Sequence, residues 1–187
     1  IDLTSSFTGE DLLRTRIRSG NFGSGPFSFA DGAAAPLEVA SSTGNSLTID
    51  RSYYQFPVGD SLTATIGAVV RQDDMLGVWP SSYPSDSVLD VLTYAGANAA
   101  YSLAEGAGAG VTYVKDNISA SLLFVSDEAT DASQGLLTEE GSDDVTAQLA
   151  WVGDNFTIAA AYTLSDGGNT TDSADANDFS AWGISGQ

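Results

Sequence analysis

Apolar residues recur at every second position in short blocks, with almost no sustained 3.6-residue pattern, which predicts many short β-strands. In 156–164, Phe156, Ile158, Ala160, Tyr162 and Leu164 form one apolar face, and Thr157, Ala159, Ala161 and Thr163 form a small, partly polar one. Leu62, Ala64, Ile66, Ala68 and Val70 alternate in the same way with Thr63, Thr65, Gly67, Val69 and Arg71. Ile118, Ala120, Leu122 and Phe124 repeat the design, as do Val145, Ala147, Leu149 and Trp151. With 1–7, 12–21, 47–56, 107–114 and a weaker 179–185, the reading is about nine strands. Each is near the ~10 residues expected of a tilted strand crossing a membrane.

Between these strands, short and long connections alternate: 8–11, 22–46, 57–61, 72–106, 115–117, 127–144, 153–155 and 166–178. A soluble sandwich has no reason to gather every long loop at one end, whereas outer-membrane barrels pair short periplasmic turns with long extracellular loops. Phe7, Phe56, Tyr113, Trp151 and Phe156 all adjoin the short turns, where an aromatic girdle at a membrane interface would lie. No apolar stretch approaches the roughly 20 residues of a membrane-spanning helix. The start carries no basic segment followed by an apolar one, so any signal peptide is expected to lie outside this sequence.

Charge sharpens this picture. The chain of 187 residues, enough for one domain with a core, has a formal charge of -19 and no His. It also has no Cys, which with the missing His removes His-based triads, thiolate nucleophiles, disulfides and zinc fingers, leaving only oxygen-ligand metal sites. Six basic residues are too few for a nucleic-acid surface. On the strand boundaries above, all acidic residues except Asp2 and Asp50 fall in connections, while Arg14, Arg16, Arg18, Arg51 and Arg71 fall in strands. Arginine inside a membrane strand is tolerable where it points away from lipid.

Arg14, Arg16 and Arg18 share one face of their strand, with Leu13, Thr15 and Ile17 on the other. Three stacked guanidinium groups repel one another in a dry interior. In a wet lumen they raise the local anion concentration and bias permeation. Arg71 falls on the face of Thr63, Thr65 and Gly67, read as lumenal. For Arg51 alternation alone leaves either face open; Tyr54 and Phe56 make the better lipid-interface pair, which turns Arg51 inward and Asp50 outward. The connection 72–106 is too long and too apolar to wave in water. It either caps the structure outside or folds into the lumen, where Asp73, Asp74, Asp86 or Asp90 facing the arginines would set up a transverse field at a constriction.

Weaker signals read as solvated loops. Asp172, Asp175 and Asp178 recur in a Gly/Asn/Thr-rich segment without the calcium-loop alternation or its closing Glu. Glu139 and Glu140 have no pocket that would suit glycoside hydrolysis. The acceptor-like triplets beginning at Asn117, Asn155 and Asn169 are common by chance.

Three stretches carry a family resemblance. They are Ser5-Ser6-Phe7-Thr8-Gly9 with Asp11-Leu12-Leu13-Arg14-Thr15-Arg16; Tyr53-Tyr54-Gln55-Phe56-Pro57-Val58-Gly59-Asp60; and Arg71-Gln72-Asp73-Asp74-Met75-Leu76 with Trp79-Pro80 and Tyr83-Pro84-Ser85-Asp86. Dense over 1–126 and thin beyond, they resemble cyanobacterial outer-membrane porins, the iron uptake porins related to the carbohydrate-selective OprB type. The resemblance implies a homotrimer of sixteen-stranded transmembrane β-barrels in outer-membrane lipid and lipopolysaccharide. It also implies an N-terminal surface-layer-homology domain that holds peptidoglycan. Residues 1–187 would then be part of one barrel domain, with that wall-binding domain and the remaining strands outside this sequence.

The expectation is therefore an all-β, antiparallel transmembrane barrel of the porin type in the cell outer membrane. It would pass inorganic ions and small solutes passively, iron among them, as a channel rather than an enzyme and without a cofactor. The competing reading is a secreted acidic β-sandwich acting as a calcium-dependent adhesin or glycan-binding module. That reading accounts for the loop carboxylates but not for the alternation of connection lengths.

Overall fold

The structure, a computed structural model, describes residues 1–22, 41–87, 89, 92–127, 129, 141–167 and 178–187. Nine strands form one sheet in chain order: β1 (Asp2–Ser5), β2 (Leu12–Arg18), β3 (Thr48–Val58), β4 (Leu62–Arg71), β5 (Glu105–Lys115), β6 (Ile118–Ser126), β7 (Ser142–Val152), β8 (Thr157–Gly167) and β9 (Phe179–Gly186). Every neighbouring pair is antiparallel, so the sheet is an up-and-down meander. Among the described residues there is no α-helix, and no helix is long and apolar enough to cross a membrane.

The nine expected strands are all present, with shifted ends. β1 stops at Ser5 and leaves Phe7 in the first turn, while β5, β7 and β8 run further into segments read as loops. That extension corrects the reading that only Asp2 and Asp50 among the acids lie in strands, because Glu105, Asp143, Asp144 and Asp166 do too. These carboxylates cluster at the strand ends next to the long connections, where pairing continues past the apolar alternation.

The short turns are closed by local chemistry. Gly9 and Gly59 adopt left-handed φ of 89° and 71°, which a side chain would resist, and Asp116 takes φ 52° in the two-residue turn between β5 and β6. In the first turn the Asp11 carboxylate accepts hydrogen bonds from Ser6 Oγ (2.5 Å), Thr8 N (2.8 Å) and Tyr54 Oη (2.6 Å). The hydroxyls of Ser6 and Tyr54 are the chief cause that holds the Asp11 carboxyl far below the usual range, against the opposing effect of burial.

The two faces of the sheet have opposite chemistry, and their exposure is the reverse of a soluble protein's. Ile66, Leu122, Leu149 and Trp182 are 58, 54, 61 and 73% exposed, and Ile158, Tyr162, Leu164 and Ile184 lie open beside them on the same face. The opposite face carries Thr65, Ser119, Ser121, Thr146, Gln148 and Thr163, all buried. Soluble sheets bury their apolar positions and wet their polar ones.

What buries the polar face is the connection 72–104, which lies across it. It begins with a 3-10 turn, Gln72–Met75, and Met75 enters a small apolar cluster with Tyr53, Val70, Leu123 and Val125. Beyond that cluster the contact is polar: Gly77 N donates to Ser121 Oγ (2.9 Å), Gln148 Nε2 to Val78 O (3.0 Å) and Thr163 Oγ1 to Ala100 O (2.8 Å). Gln72, fully buried, donates to Thr146 Oγ1 (2.8 Å) and accepts from Leu103 N (3.1 Å). Each bond satisfies a group that burial would otherwise penalise.

Small residues set how closely the connection approaches. A Cβ placed on Gly183 of β9 would stand 2.7 Å from Ala97 Cβ and 3.3 Å from Ala100 Cβ, with no flexible side-chain end to yield. Gly183→Val is expected to lift 95–101 off the sheet at a cost of about 1–3 kcal/mol. The check is hydrogen exchange: the Tyr101 amide, bonded to Ala97 O, should exchange faster while Val114 in β5 keeps its protection.

Candidate functional site

The largest concentration of charge lies where β1–β5 meet the start of the connection 72–104. β2 projects Arg14, Arg16 and Arg18 towards it, as alternation requires. β1 brings Asp2 opposite Arg16 in register, and β2 pairs Arg16 with Arg51 of β3. β4 ends at Arg71, which lies opposite Glu105 at the start of β5. The 3-10 turn supplies Asp73 and Asp74, and Asp86 arrives from further along the connection.

Two register shifts decide which side chains reach the cluster. Between Arg16 and Ile17 the partner on β3 jumps from Arg51 to Ile49, so Asp50 is an extra residue. Its carboxylate turns to the arginine side, 2.9 Å from Arg18 Nε and 3.5 Å from Arg16 Nη1. Strict alternation had placed Asp50 on the face opposite Arg51; the bulge overturns that. Between Gly67 and Val70 a second shift lets both Val70 and Arg71 be buried, where alternation allows only one of them inward.

Every arginine here is paired. Arg14 Nε lies 2.8 Å from Asp2 and its Nη1 3.2 Å from Asp74. Arg16 meets Asp2 at 3.1 Å and Asp86 at 3.2 Å. Arg51, whose side chain is 1% exposed, is held by Asp74 (2.6 Å), Asp50 and Glu105. Arg71 grips Asp73 (2.6 Å) and Asp86 (3.0 Å), and Ser85 Oγ donates to Asp73 as well. The Tyr53 hydroxyl lies between Arg14 and Asp74, accepting from the former and donating to the latter at 3.2 Å each.

Thus the structure brings together Arg14, Arg16, Arg18, Arg51, Arg71, Asp73, Asp74 and Asp86. Asp90 lies outside the described residues, as do Asp172, Asp175, Glu139, Glu140 and Asn169. Asp178 accepts a bond from Gly167 N (3.3 Å), and no group of three metal-ligating side chains occurs among the described residues. Asp2, Asp50, Glu105 and Tyr53 were missed as members of the cluster. Charge complementarity across strands, Asp2 against Arg16 and Glu105 against Arg71, was the signal available for two of them.

The five aromatics beside the short turns occupy one end of the molecule. Phe7, Trp151 and Phe156 are exposed and Tyr113 borders on it. Tyr54 belongs with them: it packs edge-on to Phe7 (6.0 Å) and stacks on Phe56 (5.5 Å). That pair supports turning Arg51, Tyr53 and Gln55 to the polar side of β3.

Burial raises the proton affinity of Asp73, but the hydrogen bonds and charge of Arg71 outweigh it and hold the carboxyl below its ordinary value. Asp86 is likewise depressed, Arg71 and Arg16 overcoming burial. Asp74 moves the other way: burial first, then the negative charge of Asp73, push it up.

The fold defines a class, an all-β antiparallel sheet that buries a polar, ion-paired face under its own long connection. The chain is similar to an uncharacterized protein of Synechocystis sp., 26% identical over 167 residues that cover 86% of this chain and 30% of that protein. The chain thus spans about a third of the length of the relative it matches. No protein-family model matches the chain, and no solved structure does.

Removing Arg51 takes the most deeply buried counter-charge from Asp74, which keeps Arg14, and from the half-open Glu105. Arg51→Met is expected to cost about 3–5 kcal/mol, read as a lowered urea midpoint with unchanged denaturant slope. A carboxyl with a depressed folded pKa contributes stability above its unfolded value, near 3.8, and loses it as pH falls through the folded value. The grip of Asp73 and Asp86 on Arg71 should therefore hold at neutral pH and weaken only below about pH 4. Asp74 works oppositely, so Asp74→Asn should steepen the loss. Fluorescence of Trp79, packed on Tyr101 at 5.3 Å, with Trp151 and Trp182 changed to Phe, reports it.

Proposed function

We propose that this chain is part of an outer-membrane β-barrel porin, a passive channel for inorganic ions and small solutes. The observation that carries the reading is the reversed polarity of the sheet: its apolar face is open and its polar, ion-paired face is covered. An apolar exterior with a polar interior is the arrangement a barrel needs when lipid surrounds it and water fills it. A sandwich needs its apolar face turned inward against a second sheet, so the adhesin reading would leave this face in water.

Further support comes from the short turns at one end and long connections at the other, and from aromatics beside the short turns, at the level of a membrane interface. On this reading 72–104 is a lumenal constriction loop, and Arg14, Arg16, Arg18, Arg51 and Arg71 face it from the wall. The three stretches that resemble cyanobacterial porins point the same way. The partners this assigns are outer-membrane lipid and lipopolysaccharide, two further copies in a trimer, and peptidoglycan through a wall-binding domain. Iron belongs among the candidate solutes; no catalytic step or cofactor is needed.

The test is conductance of the full-length protein in a planar bilayer. Discrete, uniform steps from protein purified in detergent are the expected result. A folded protein that purifies without detergent and gives no steps would overturn the channel and favour the binding module.

A further inference from the structure

We propose that the arginine cluster presents a negative surface to water and so makes the channel prefer cations, an inference that rests on the porin reading above. Read as a bare column, three stacked guanidiniums attract anions. In the folded protein their charges are spent on carboxylates, and what a passing ion meets is decided by which partner of each pair reaches solvent.

That division is uneven. Arg18 has the most open guanidinium side chain of the cluster at 28%, and Arg51 the least at 1%. Asp2, Asp86 and Glu105 are open to 45, 40 and 39%. Each of these carboxylates stands on the water side of a pair whose cationic end lies deeper: Asp2 bridges Arg14 and Arg16, Asp86 bridges Arg16 and Arg71, and Glu105 caps Arg51. An ion within a few ångströms feels the nearer charge more strongly, since the interaction falls with distance and is screened beyond the first water layers. The cluster is thus a set of dipoles with their negative ends outward, and the surface they make raises local cation concentration.

The arrangement also explains why so much arginine is placed in the wall. Guanidinium groups fix Asp2 and Asp86 at set positions, which free carboxylates in a mobile loop would not keep. The arginines act as positioning residues for the acidic rim. The selectivity is carried by Asp2, Asp86 and Glu105.

The experiment is the reversal potential of the full-length protein across a KCl gradient in a planar bilayer. Wild type should favour K⁺, and the preference should fade as salt rises from about 0.1 M to 1 M, where the screening length shrinks from about 10 Å to 3 Å. The combined variant Asp2→Asn, Asp86→Asn, Glu105→Gln should keep its conductance steps while its K⁺/Cl⁻ permeability ratio falls about two-fold or more. Asp116→Asn, in the turn between β5 and β6, should leave the ratio unchanged. Asp2→Asn alone, on the edge strand, should move the ratio part of the way and serves if the combined variant fails to insert. Steps with anion preference, or a cation preference that neither variant lowers, would overturn this inference and leave the channel standing. No steps at all would overturn the channel and the inference together.

Discussion

Guanidinium groups need counter-charges when water is withdrawn, and in this chain that need organises the fold. Arg51 and Arg71 are buried, and an ion taken out of water costs several kcal/mol unless charge and hydrogen bonds replace its hydration. The replacements come from Asp50 of β3, Glu105 of β5 and the connection 72–104, so the arginines can be buried only if the connection lies where it does. Once it lies there, the polar face of the sheet is covered and Thr146, Gln148 and Thr163 must find partners in it, which they do. The apolar face is then the one left open, and the porin proposal rests on this inversion.

Much of this was legible beforehand. Period-two alternation locates the strands because their small and large residues fall on opposite faces in every block, and Tyr54 with Phe56 turns Arg51 to the face that the connection covers. Alternation cannot say which face meets water, however, because an apolar face is equally consistent with a core and with a membrane. Which face is covered depends on where the connection lies, and no periodicity encodes the path of an irregular segment.

The misplacements have one physical origin. Alternation points Asp50 away from the arginines because a bulge adds a residue without leaving a mark in the hydrophobic pattern. Glu105, Asp143, Asp144 and Asp166 read as loop in the sequence because acidic residues are rare in sheets, although backbone pairing carries on through them. Both errors fall where side chains are ionic, and there the local charge balance outweighs the alternation on which strand reading depends. Asp2 and Glu105 became visible as members of the cluster only once register set each beside an arginine.

The connection is fastened to the sheet by two unlike means. Towards β2–β4 it is held by ion pairs through Asp73, Asp74 and Asp86, and towards β6–β9 by neutral hydrogen bonds through Gly77, Val78, Ala95 and Ala100. Heat acts on these differently, because the hydration that competes with ion pairs weakens as temperature rises. On warming, the neutral side therefore loosens first while the charged side keeps its hold. Heat would thus part the connection from β9 while the arginines of β2–β4 still held its start.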